Sequence, residues 1–229
     1  MSAGAAPARA RDARSIAPPP RSPIPHHLIR LLVTPWARVY FRLRSVGLER
    51  LSWERPFILA PNHVSMLDWG FISYFLPRQV RFVVDRTFYD HPLMGIGLRV
   101  NGAVPVCVGR PDLASQRAQR AVLAAGEPLI FFPEGRISTD GRPGRAHAGV
   151  VSLAAATGTP IVPVAVRGAF EAFPRWMRLP RPRPVTVVFG TPLAPPPPAG
   201  RAEQQRQADA LMVRITALLD GDASEEPIW

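Results

Sequence analysis

A histidine and an aspartate stand five residues apart in Asn62-His63-Val64-Ser65-Met66-Leu67-Asp68, between an apolar run, Phe57 to Ala60, and an apolar segment, Trp69 to Leu76. The first run is short and bounded by Pro56 and Pro61, which predicts a buried strand. The second predicts a packed helix that stops near Pro77. Were residues 63–68 all helical, about 100° per residue would set the two side chains roughly 140° apart. They meet only if His63 lies in the turn ahead of the helix and Asp68 in its first turns. Asp68 then accepts a hydrogen bond from one ring nitrogen and leaves the other free as a base. A His-x4-Asp pair also arises by chance, and an Asp near a helix start is commonly a cap. The rest of the chain has to decide between chemistry and capping.

Two further apolar runs end in polar punctuation. Residues 102–108 read as a strand that stops at Gly109-Arg110, and Leu129 to Phe132 as a buried strand followed at once by Pro133-Glu134-Gly135-Arg136. In α/β sheets the pocket lies beyond the carboxyl ends of the strands, so these groups can face one cleft with His63. Gly135 allows close backbone approach to an anion, and two arginines offer forked donors to a phosphate. A base and a phosphate clamp, with no side-chain nucleophile beside the base, point to transfer onto a hydroxyl carried by a phosphorylated acceptor. Ser65 lacks the Gly-x-Ser-x-Gly elbow of a serine hydrolase.

The elements that must position these residues alternate. Strands are expected at Val46 to Leu51 (with a turn at Gly47), Phe57 to Ala60, Val80 to Val84, 102–108, Leu129 to Phe132, Ile161 to Val166 and Val185 to Gly190. Helices are expected after Asp68, over 113–125 with Asp112 as N-cap, over 148–157 ending at Gly158, and over 201–219, with 85–100 mixed. This order predicts an α/β fold with a mixed, largely parallel sheet flanked by helices. Residues 1–25, rich in Ala, Arg and Pro, read as a disordered tail without the core of a secretory signal. Residues 26–45 interleave Leu, Ile, Trp, Tyr and Phe with arginines. No run there reaches the roughly 18 apolar residues of a spanning helix. The pattern fits an amphipathic helix either in a membrane interface or packed on the domain with snorkelling arginines. Residues 46–193 form the expected domain, and 194–229 a Pro-rich linker and C-terminal helix with a frayed acidic end.

Composition narrows the chemistry. All 28 basic residues are arginine, and the net charge is +11. Without lysine there is no Schiff base and no Walker-type loop. The charge favours anionic partners: nucleic acid, an acidic membrane surface or phosphorylated small molecules. The single cysteine, Cys107, precludes an intramolecular disulfide and reads as a buried strand residue. His91 has no second ligand at metal spacing and reads as structural. His147 could reach a phosphate but reads as a solvated loop residue.

Taken in order, Asn62-His63-x4-Asp68, Gly102…Arg110, Phe132-Pro133-Glu134-Gly135-Arg136 and Ile161-Val162-Pro163-Val164 resemble the four blocks of the glycerolipid acyltransferases, whose type members are the 1-acylglycerol-3-phosphate acyltransferases. The resemblance runs from about Val46 to Leu193. It departs in two places: Arg110 lies further from Gly102 than is usual, and Asp85-Arg86 occupies the place of a basic residue after the second-strand region. The resemblance implies that His63 deprotonates the free hydroxyl of a lysophospholipid, which attacks the thioester of acyl-CoA or acyl-carrier protein. Asp68 would orient His63, as in a triad without its serine. Asn62, Arg86, Arg110, Glu134, Gly135 and Arg136 would hold the acceptor. No metal or redox cofactor is needed, and the expected location is the cytoplasmic side of the cell membrane, peripheral or monotopic. Two alternatives stand beside it: another lipid acceptor (glycolipid or aminolipid), and a basic nucleic-acid- or lipid-binding protein without catalysis. Against nucleic acid, no binding fingerprint appears and the arginines are scattered.

Overall fold

The computed structural model describes residues 35–107 and 112–221. The expected tail, residues 26–34 of the expected N-terminal helix, Arg110 and residues 222–229 lie outside the described residues; of the rest of that helix, 35–40 are helical, while the chain turns at 41–42 and enters a strand at Arg44.

Seven strands form one sheet in the order β1-β7-β6-β2-β5-β3-β4: β1 (Arg44–Val46), β2 (Ile58–Pro61), β3 (Arg81–Asp85), β4 (Ala103–Val106), β5 (Leu129–Ile130), β6 (Ile161–Arg167) and β7 (Thr186–Phe189). Every neighbouring pair is parallel except β6 with β7. The helices are α1 (Asp68–Phe75), α2 (Arg86–Tyr89), α3 (Met94–Val100), α4 (Leu113–Ala124), α5 (Gly149–Thr157), α6 (Ala169–Ala172) and α7 (Arg201–Asp220). The fold is thus the mixed, mostly parallel α/β sheet that the alternation predicted.

Parallel strands bury both faces, which is why β2 is an unbroken apolar run rather than an alternating one. Its residues divide by parity. Leu59 packs with Phe71 and Ile72 of α1 on one face, while Ile58 and Ala60 pack with Val122 of α4, Val150 of α5 and Leu211 of α7 on the other. Each fully buried side chain of this size stabilises by about 1.5–3 kcal/mol. The C-terminal helix α7 therefore belongs to the core, not to an appendage. Asp112 caps α4 as expected, accepting from Ser115 N at 3.0 Å.

Four local expectations are corrected. The strand placed at Val46 to Leu51 is instead β1 followed by Gly47 at φ 77 and a 3-10 turn, Leu48–Arg50. A side chain at Gly47 would strike the Phe189 carbonyl at 2.1 Å, so the chain must bend there on glycine. Strand β1 pairs with β7 across the expected 45/46 boundary. The short helix α6 carries no period long enough to read. Cys107 is half-buried and lies just beyond β4, its N–H directed at Asp112 Oδ2 (3.3 Å).

Candidate active site

Strand β2 is central, so the residue that leaves its carboxyl end enters the middle of the molecule. Pro61 is its last residue, and Asn62 continues the ladder with its side chain. Asn62 Oδ1 accepts from Val166 N (2.7 Å) and Nδ2 donates to Val166 O (3.3 Å). Both polar ends of the amide are thus committed to β6 in a buried position, and Asn62 is a structural pin, not the acceptor contact expected of it.

Beyond this pin the chain turns through residues 63–67 into α1. Asp68, fully buried at the first position of α1, gathers the turn onto one oxygen. Its Oδ2 accepts from Val64 N (2.7 Å) and Ser65 N (2.8 Å) and lies 2.9 Å from His63 Nδ1. Two backbone amides and the imidazole thus converge on a single carboxylate oxygen. A carboxylate only accepts, so the Nδ1 proton of His63 points at Asp68 and Nε2 is left with its lone pair. The aspartate does not cap α1: Leu67 holds the cap position without a side-chain bond, and Asp68 instead bonds the turn ahead of the helix and faces the ring.

The block Phe132 to Arg136 buttresses the same histidine. Phe132 stacks on its ring (centroids 3.9 Å apart, planes at 24°). Glu134 Oε1 accepts from His63 N (2.8 Å), and Oε2 from Gly144 N (2.7 Å). The His63 carbonyl accepts from Ser138 N at 2.7 Å. Glu134, 3% exposed, therefore holds the backbone of the base and the 138–144 loop together, one oxygen to each. Burial raises its carboxyl above the ordinary value, opposed by the bonds from Gly144 and His63. Gly135 takes φ 64 as the chain reverses, closing a turn through its N–H to Phe132 O (3.2 Å).

Of the other residues expected at the site, Gly135 and Arg136 are exposed on the turn directly beside His63. Arg86 opens α2 after β3 and is half exposed, with Nε 3.8 Å from Asp90 Oδ2. Three supporting groups were not foreseen. The Phe132 ring, the Ser138 amide and the Ser65 hydroxyl, which donates to Phe173 O (2.8 Å), all fix the turn. Phe132 was within reach of sequence reasoning, since it abuts Glu134; nothing local signals the partner of Ser65. Elsewhere Met94 N donates to His91 Nδ1 (3.2 Å), a helix-starting contact, and His147 is exposed.

The imidazole retains 17% of its side-chain exposure, while its aspartate has none. A base with a fixed tautomer, reachable from solvent at the carboxyl end of the central strands, equips this edge for proton abstraction. The acyltransferase family model matches residues 42–167, and the chain belongs to that family. Among individual relatives, a chloroplastic 1-acyl-sn-glycerol-3-phosphate acyltransferase of Arabidopsis thaliana is 31% identical over 65% of this chain and 43% of its own length. A 1-acyl-sn-glycerol-3-phosphate acyltransferase of Chlamydomonas reinhardtii is 30% identical over 81% of this chain and 57% of its own. The chain spans about half the length of the curated relatives it matches. The crystal structure of the 1-acyl-sn-glycerophosphate acyltransferase PlsC from Thermotoga maritima shares the fold, with a TM-score of 0.66 and 21% identity over 88% of this chain and 86% of that one.

Proposed function

We propose that this chain moves a fatty acyl group from a thioester, acyl-CoA or acyl-carrier protein, to the free hydroxyl of 1-acyl-glycerol-3-phosphate, yielding phosphatidate. The observation that carries the proposal is the His63 Nδ1–Asp68 Oδ2 contact of 2.9 Å, which in the neutral ring leaves Nε2 as the acceptor on a partly exposed side chain. Nε2 takes the acceptor's hydroxyl proton as its oxygen attacks the thioester carbonyl. The new C–O bond forms, the C–S bond breaks, and the proton passes from the imidazolium to the departing thiolate. Asp68 stabilises the imidazolium without taking the proton. These steps balance with no metal or redox cofactor. Arg136, exposed on the turn whose Glu134 bonds the His63 backbone, is assigned to the acceptor phosphate, with Arg86 and Arg110 as further candidates. Relatives named as 1-acyl-sn-glycerol-3-phosphate acyltransferases support the choice of acceptor. The site is placed on a membrane surface, where such an acceptor resides.

A matrix of acyl-CoA and acyl-carrier-protein donors against lysophosphatidate, neutral glycolipid and aminolipid acceptors tests this. Turnover should be confined to phosphate-bearing acceptors, because an arginine clamp left unpaired rejects a neutral head group. Equal rates on neutral acceptors would defeat the assignment.

A further inference from the structure

The segment between α6 and β7 is absent from the mechanism, yet it concentrates arginine, proline and apolar residues. Residues 174–183 read Pro-Arg-Trp-Met-Arg-Leu-Pro-Arg-Pro-Arg, and no acidic residue occurs between Glu171 and Glu203. Trp176 is 60% exposed and Leu179 75% exposed, and Arg175, Arg178, Arg181 and Arg183 all face solvent. Of these, Trp176, Arg181 and Arg183 line an open groove together with Phe170, Glu171, Met177 and Pro184. The helical residues 35–40 lie against this segment. Tyr40 donates its hydroxyl to Pro180 O (2.9 Å) and stacks on Trp36 (4.6 Å), while Trp36 and Val39 stay exposed.

The same segment borders the catalytic turn. Ser65 Oγ donates to Phe173 O at 2.8 Å, one residue before the segment begins. A side chain at Gly141, in the loop bonded to His63 and Glu134, would meet the Phe170 ring at 2.9 Å, and Phe170 in turn meets Trp176 edge-on at 5.4 Å.

We propose that residues 174–183, flanked by Trp36 and Val39, form a docking face for an anionic phospholipid bilayer. Tryptophan beside arginine settles at the headgroup boundary, where the ring is half desolvated and the guanidinium meets phosphate. The aliphatic Leu179, Met177 and Val39 find hydrocarbon there, which a nucleic acid would not offer them; aromatic stacking alone would suit either. Docked this way, the protein holds His63 at the rim of the membrane, and an acceptor lipid reaches the base without leaving the surface. That last clause rests on the proposed acyl transfer; docking itself does not.

Co-sedimentation of the full chain with vesicles of phosphatidylcholine alone, or mixed with phosphatidylglycerol, tests the proposal. Two variants are compared: Trp176→Ser with Leu179→Ser, and Arg175→Gln, Arg178→Gln, Arg181→Gln and Arg183→Gln together. All six positions are exposed, so thermal midpoints should match the unmodified chain. The unmodified chain should favour the anionic vesicles, and the arginine variant should lose that preference, at about fivefold per charge removed. The Trp–Leu variant should bind at least about tenfold more weakly. Turnover of a monomeric short-chain acceptor, measured alongside, should be unchanged in both. Variants that sediment like the unmodified chain overturn the proposal, as does an unmodified chain that binds duplex oligonucleotide but neither vesicle. Vesicle binding without turnover would sustain docking and remove only the enzyme assignment.

Discussion

The turn that carries His63 and the rim that carries Arg86 and Arg136 are held in opposite ways. Within the turn, one buried carboxylate oxygen receives two backbone amides and faces the ring, Glu134 receives a third amide, and Asn62 fastens the strand end to Val166. On the rim, Arg136 is exposed and Arg86 has only a 3.8 Å approach to Asp90. The difference follows the work proposed for each. A general base must meet its proton within a few tenths of an ångström, so its supports are fixed before substrate arrives. A guanidinium that grips a headgroup gains by staying hydrated until the phosphate replaces its water. The residues between, Glu134 and Gly135, belong to the first class by structure even though their sequence block places them with the second.

Substitutions on the two sides should therefore fail differently. The largest effect is expected for His63→Ala. Acyl transfer should fall by about 10²–10⁴-fold with the fold retained, because the ring is partly exposed and carries none of the turn's backbone bonds. Single-turnover rates together with a thermal melt check this, and a surviving rate would remove His63 from the mechanism. Next comes Asn62→Ala, which strands the buried N–H and C=O of Val166. A loss of about 1–3 kcal/mol in denaturant unfolding is expected, with the acceptor KM unchanged. A raised KM at intact stability would instead return Asn62 to the substrate. Arg136→Ala should do the reverse: stability within about 0.5 kcal/mol, and a KM for phosphorylated acceptor raised about five- to tenfold at constant kcat.

How legible this was in the sequence depended on whether a residue's partner lies nearby in the chain. Asp68 sits five residues from His63, and steric reasoning alone placed one in the turn and the other on the helix, as observed. The strands around the site are apolar runs cut by proline and glycine, and they were located to within a few residues. Asn62 and Glu134 were expected to hold the acceptor because the family resemblance implies it. Their actual partners, Val166 and the amides of His63 and Gly144, are set by sheet order and loop packing, which no local spacing encodes. The bend at Gly47 was foreseen as a turn, but the 3-10 segment after it follows from the Phe189 carbonyl across the sheet. Burial, rather than polarity, separates a positioning carboxylate from a binding one.

Glu134 offers the finest test of that distinction, and the smallest expected effect. Its carboxyl is raised from 4.5 by burial, against the pull of the Gly144 and His63 amides. Between 4.5 and that raised value the folded protein keeps a proton that the unfolded chain has released. The stabilisation this represents is complete below the unfolded pKa and is lost as the pH rises through the folded one. In Glu134→Gln the titration is gone, and one of the two amide bonds is gone with it, since an –NH2 cannot accept. The variant should thus melt below the parent, with a gap that is widest in acid and narrows as the pH rises above 4.5. Thermal midpoints of the pair across this range read the gap directly, and taking the difference cancels the other carboxylates. A gap that instead widens with pH would mean that the amides outweigh burial, so that Glu134 stabilises the turn chiefly as an anion.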